Sequence, residues 1–146
     1  MSGAYVRVEK LIDAEAKNLF NIVADPRQHP AIDGSGSLQD VEITAPERLS
    51  LGAKFTVVMK IGARYSMPNT VTEFEEDRLI AWQPKSGHIW RYTFYPVQGG
   101  TLVSEEWDAR HAKGSFLPVL FGFKRRNRRG MTKTLERLAN LAKSEN

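Results

Sequence analysis

The chain has no cysteine. That excludes disulfides, thiolate nucleophiles and cysteine-ligated metal sites. It has no apolar run near the roughly 18–20 residues needed to cross a bilayer. Met1 to Lys10 carries no charged stretch followed by an apolar one, so no secretory signal is expected and a cytoplasmic address is the default reading. Histidine is scarce: His29, His88 and His111 lie far apart, without carboxylates at ligand spacing, so no metal site is expected. Gly34-Ser35-Gly36 is followed by a strand pattern and lacks the lysine of a phosphate loop. No GxSxG turn or Ser/His/Asp order supports nucleophilic catalysis. No cofactor is expected.

What is present is an ordinary globular composition. The 146 residues are 41% hydrophobic and 26% charged, and the length suits one domain spanning residues 1–146. The formal net charge is +4, and the excess is local. Lys124, Arg125, Arg126, Arg128, Arg129 and Lys133 form one basic run, while the rest of the chain is close to neutral.

Tyr5 to Leu11 alternates, with Val6 and Val8 on one face, as a half-buried strand does. Asp13 is a candidate cap for a helix over Ala14 to Ala24, where Ala16, Leu19, Phe20 and Val23 recur at helical spacing. Asp25-Pro26 restarts the chain as cap and first helical residue, and Pro30 is expected to limit this second helix near His29. Alternating runs follow near 38–45, 53–61, 65–75, 78–84, 88–97 and 101–111. Short turn sequences such as Ile61-Gly62-Ala63, Ser86-Gly87 and Gln98-Gly99-Gly100 separate them, which predicts an antiparallel meander. Ser115 to Lys143 returns to helical spacing through Leu117, Leu120, Phe121, Met131, Leu135, Leu138 and Leu141, with Gly130 a possible bend. The expected fold is α+β: a curved seven-stranded antiparallel sheet around one long C-terminal helix, with two short helices after strand 1.

The element order resembles that of the START-like superfamily, also called SRPBCC or polyketide cyclase/dehydrase-like, with its helix-grip fold. Three local patterns carry the likeness. They are Val8-Glu9-Lys10-Leu11-Ile12-Asp13-Ala14, Val23-Ala24-Asp25-Pro26-Arg27-Gln28-His29-Pro30, and Arg78-Leu79-Ile80-Ala81-Trp82 with Trp90 to Phe94 and Gly99 to Val103 after it. Many members have Trp where this chain has Ile32, which alters the wall of the expected cavity. The resemblance implies a fold shared by lipid carriers, receptors, cyclases and chaperone activators, so function must come from the site.

Period-two alternation puts Phe55, Val57, Met59 and Ile61 on one face, with Tyr65, Met67, Asn69 and Val71 beside them. Trp90, Tyr92, Phe94, Val103, Glu105, Trp107 and Ala109 complete the set. Apolar walls with few polar groups predict a hydrophobic small-molecule site, to which Leu117, Phe121 and Met131 of the helix contribute. The same residues could simply pack together. An inward Glu105 is expensive unless paired or protonated. It could orient a ligand or act as a general acid or base. Alternatively, a bulge turns Glu106 inward instead, or Glu105 pairs with Arg64.

His29, Asp33 and Tyr65 are read as an entrance rim, and His88 and His111 as rim or surface residues. Glu105, Tyr65, Asn69 and His29 are the candidates for any catalysis. Three functions stay open: a carrier of a lipid, polyketide or similar molecule, a cyclase- or dehydratase-type enzyme, and an interaction module. In the last, Lys124, Arg125, Arg126, Arg128 and Arg129 meet an anionic membrane surface or acidic partner. Nucleic acid is the weaker reading, because the patch lacks interleaved aromatics for stacking.

Overall fold

The computed structural model describes residues 5–41, 44–85, 87–111 and 117–144, without the side chains of 61, 117–123 and 144. The expected Ser115 start of the last helix, Ser86 and the side chains of Ile61, Leu117, Leu120 and Phe121 therefore lie outside the described residues. The strands are β1 (Tyr5–Ile12), β2 (Leu38–Val41), β3 (Lys54–Ile61), β4 (Ala63–Glu75), β5 (Leu79–Pro84), β6 (Ile89–Val97) and β7 (Gly100–Asp108). The helices are α1 (Ala16–Val23), α2 (His29–Ile32) and α3 (Leu117–Ser144).

The seven strands form one antiparallel sheet in the order β1-β7-β6-β5-β4-β3-β2. From β2 to β7 the chain is a meander. Tight turns allow it: Gly62, at φ 72°, reverses the chain between Ile61 and Ala63, a backbone conformation costly for residues with a Cβ. β1 then closes the sheet onto β7, pairing Tyr5 with Asp108 through Ile12 with Thr101.

One face of the sheet is buried under the helices. Leu19, Phe20 and Val23 of α1 and Leu135 and Leu138 of α3 pack with Val71, Ile80, Phe94 and Val103. Phe20 meets Phe74 and Phe94 edge-on, each at 5.5 Å between ring centres. A bulge between Val71 and Glu73 makes this possible. It shifts β4 by one residue, so odd positions face inward up to Val71 and Phe74 does so beyond it. A smaller cluster of Val6, Trp107 and Met131 ties β1, β7 and α3 together.

Three local expectations are corrected. Asp13 does not cap α1. β1 runs to Ile12, Ala14 turns back onto its carbonyl, and the helix begins after Glu15, whose side chain makes no capping bond. Pro30 does not end the second helical stretch. Asp25 caps a single 3-10 turn over Pro26–Gln28 through the Arg27 amide, and α2 then starts at His29 with Pro30 in its first turn. Proline fits there because its missing N–H needs no partner. Gly130 does not interrupt α3, which is helical throughout 117–144. Its missing side chain instead lets the loop after α2 approach, with Ser35 Cα only 3.4 Å from where a Cβ would stand.

Candidate ligand-binding cavity

Between the sheet, α3 and the loop after α2 lies a cavity of about 380 Å³. The alternation of β3 and β4 aims Phe55, Val57, Met59, Met67 and Asn69 into it. β6 and β7 add Trp90, Tyr92, Glu105 and Trp107, and α3 adds Met131. Tyr65 stands at the mouth, 38% exposed. Of the alternating set, these residues and Ala109 line the cavity, whereas Val71, Phe94 and Val103 lie in the core. The side chains of Ile61, Leu117 and Phe121 are outside the described residues.

Glu105 is the chemically distinctive group. It is 3% exposed, and its Oε1 has no hydrogen-bond partner among the described residues. Burial pushes its carboxyl up to about 8, and the charge of Asp33 adds to this. The Tyr92 phenol, its register partner on β6, offers a hydrogen bond that acts the other way. Burial and the neighbouring Glu105 in turn raise Tyr92 well above the usual phenol range. The carboxyl is therefore mostly protonated at neutral pH.

Neither alternative for Glu105 describes the structure. β6 and β7 pair without a shift from Ile89–Asp108 to Val97–Gly100, so no bulge reverses the face. Glu106 points to the opposite side, where it accepts from Tyr5 and pairs with Arg91 at 3.4 Å. Arg91 also holds Glu73 at 2.7 Å. Arg64 is exposed in the β3–β4 hairpin, opposite Lys60.

His29, read as an entrance-rim residue, is instead buried in the cavity wall. It is 5% exposed, stacked on Trp82 at 4.9 Å and met edge-on by Phe55 at 5.6 Å. Its Nε2 lies 2.7 Å from the Val23 carbonyl, so Nε2 carries the proton and donates it. Burial lowers its basicity, which keeps the ring neutral. His88 also belongs to the cavity wall, beside Trp90 and Trp107, and burial lowers it to about 4. His111 is exposed, as expected.

Asp33 organises the loop. Its carboxylate accepts from the backbone amides of Ser35, Gly36 and Leu38 and from the Ser35 hydroxyl. Asn69 donates to the Met67 carbonyl at 3.2 Å. Arg125, Arg128 and Arg129 are exposed and Lys124 is partly buried. Arg126 alone of the basic run reaches the cavity wall, beside Asn127. Among the described residues no cluster of three or more potential ligands could hold a metal ion.

Sequence reading missed Trp82, Ser35, Ser37, Leu38, Asn127 and Thr134 as wall residues. Leu79-Ile80-Ala81-Trp82 is a continuous apolar run, and period two assigns no face to such a run. The loop's contribution comes from its contact with α3, which no local pattern encodes.

No protein-family model matches the chain. The uncharacterized protein Rv0088 of Mycobacterium tuberculosis (strain ATCC 25618 / H37Rv) is 36% identical over 143 residues, covering 92% of this chain and 63% of that protein. The chain thus spans less than two thirds of the length of the curated relatives it matches. Among solved structures, the KanY protein superposes with a TM-score of 0.77 at 18% identity, over 98% of this chain and 99% of that one. The AHSA1-like protein from Aeromonas hydrophila superposes with a TM-score of 0.70 at 17% identity, over 97% and 93%. At such identity the likeness speaks for the fold, and this chain has the helix-grip fold of its AHSA1-like neighbours.

Proposed function

We propose that this protein binds a hydrophobic small molecule in the cavity between sheet and α3. The observation that carries this reading is the composition of the cavity wall. Trp82, Trp90, Trp107 and Phe55 supply broad apolar surface, Met59 and Met67 supply adaptable surface, and most of the wall's surface is apolar. A volume of about 380 Å³ lies within the range of small-molecule sites. Lipids, polyketides and similar molecules fit this description. The cysteine-free chain suits a cytoplasmic address, and among the described residues no helix is long and apolar enough to cross a membrane.

Native mass spectrometry of protein purified from its own host, with extraction of whatever is bound, tests this reading. A stoichiometric apolar ligand supports it. Failure to bind any member of a panel of apolar probes, read by tryptophan fluorescence, overturns it. All three tryptophans line the cavity, so that signal reports occupancy directly.

A second reading is an enzyme of cyclase or dehydratase type. Its support is Glu105, a protonated carboxyl beside Tyr92 that could serve as a general acid. Turnover lost in Glu105→Gln, with ligand affinity retained, would favour it. The exposed Arg125, Arg128 and Arg129, with Arg126 at the cavity, also suit docking on an anionic surface. Salt-sensitive binding to phosphatidylserine vesicles tests that.

A further inference from the structure

We infer that the ligand is an uncharged molecule bearing an acceptor oxygen, a ketone or similar carbonyl, and that the Glu105 carboxyl donates the hydrogen bond that anchors it. This rests on the reading of the cavity as a ligand site and adds the ligand's chemistry.

The argument begins with what Glu105 lacks. Its Oε1 is enclosed and has no partner among the described residues, although an unmade hydrogen bond is costly in such a place. Among the described residues, four other polar side chains of the cavity are turned to partners within the protein. Asn69 is turned to the Met67 carbonyl, Asp33 to its loop amides, and the His29 Nε2 to Val23. Thr134 accepts from the Gly34 amide and donates to the Gly130 carbonyl. Among the described residues, Glu105 Oε1 is the fully enclosed side-chain polar atom left without a partner.

The sign of the missing partner follows from proton placement. Tyr92 stands opposite Glu105 on β6 and favours the charged form of its carboxyl, and Oε1 is the oxygen left enclosed without a partner. The carboxyl's own proton is then best carried on the free oxygen, where it is a donor without an acceptor. Rotation about the terminal bond, which is broad for Glu, lets either oxygen turn to the ligand. A neutral carbonyl completes this arrangement without moving charge. An anionic ligand would meet the carboxylate of Asp33. An ammonium would have to ionise Glu105 and bury both charges.

The test uses fluorenone and fluorene, which share a flat ring skeleton and differ in the carbonyl, with fluorenylamine as a cationic control. Affinities are read by tryptophan quenching and the ketone stretch by infrared difference spectroscopy. Fluorenone should bind roughly ten-fold tighter than fluorene, the worth of one good hydrogen bond, and its carbonyl stretch should move to lower frequency on binding. Glu105→Gln should keep the preference, since its amide still donates. Glu105→Leu should bring the two probes to parity while keeping fluorene affinity.

Should Glu105→Leu fail to fold, a pH series on the folded protein gives the same discrimination. The preference should fade above about pH 8 in the wild type and persist in Glu105→Gln. Asp33 and Tyr92 act on Glu105, while His29, His88, Tyr65 and Arg126 share the cavity wall, so the Gln variant is the control for their titration. Equal binding of ketone and hydrocarbon in the wild type overturns the anchor and leaves the cavity reading standing. Tightest binding by the amine also overturns the anchor. No binding of any probe overturns the cavity reading itself, and the anchor with it.

Discussion

Gly34 and Gly130 meet so closely that a Cβ built on Gly34 would stand 2.2 Å from the Gly130 carbonyl oxygen. The contact is fixed by the Gly34 amide, which donates to Thr134 Oγ1 at 2.9 Å. Here the loop that closes the cavity is fastened to the helix that spans it. Gly34→Ala must push helix and loop apart and should destabilise the fold by about 1–3 kcal/mol, the usual scale for overpacking. It should also weaken ligand binding. Chemical denaturation and tryptophan quenching check the two effects, and an unaffected variant would mean the seam has slack.

Glu105 should make stability fall as pH rises. Its folded carboxyl titrates near 8 against an ordinary 4.5, so between these values the native state holds a proton the unfolded chain has lost. Its stabilising contribution is complete below pH 4.5 and is lost progressively up to about pH 8. Glu105→Gln should remove this slope and be more stable than the wild type above pH 8. Denaturation midpoints across the range, compared between the two proteins, decide it.

His29 should do the opposite. Its folded imidazole is less basic than the ordinary 6.5, so the unfolded chain takes up a proton first as pH falls below that value. Stability from this group is present above pH 6.5 and lost on acidification. His29→Phe should flatten that acid limb and lower stability at neutral pH by about 1–3 kcal/mol, since the Val23 carbonyl loses its donor.

Cavity-lining and core positions should differ in cost. Phe94 is fully buried against Phe20, away from the cavity, and Phe94→Ala should cost about 3–5 kcal/mol. Met67 is only partly buried and faces the cavity, so Met67→Ala should cost less in stability and more in apolar-ligand affinity. Equal stability losses would show the cavity to be packed as core.

These residues also show what the sequence disclosed. Glu105 and Asn69 were legible because period two is strict along β3, β6, β7 and the first part of β4. The bulge past Val71 broke that rule silently, which hid the inward Phe74. His29 read as a rim residue because it sits among Pro, Gln and Arg. Its burial comes from Trp82 and Phe55, on strands distant in the chain. Gly130 read as a helix flaw because only its partner loop, almost a hundred positions earlier in sequence, reveals its purpose.

The closure of β1 onto β7 has a kinetic consequence. The meander from β2 to β7 can form by local steps, each hairpin templating the next. The β1–β7 pairing joins the first and last strands in the sequence, and Val6 must then find Trp107 and Met131. Such contacts carry the largest loop-closure cost and form late. The wall bearing Glu105 and Trp107 is therefore an open sheet edge until β1 arrives, and a partly folded chain would show that unpaired edge to other molecules before it could hold a ligand.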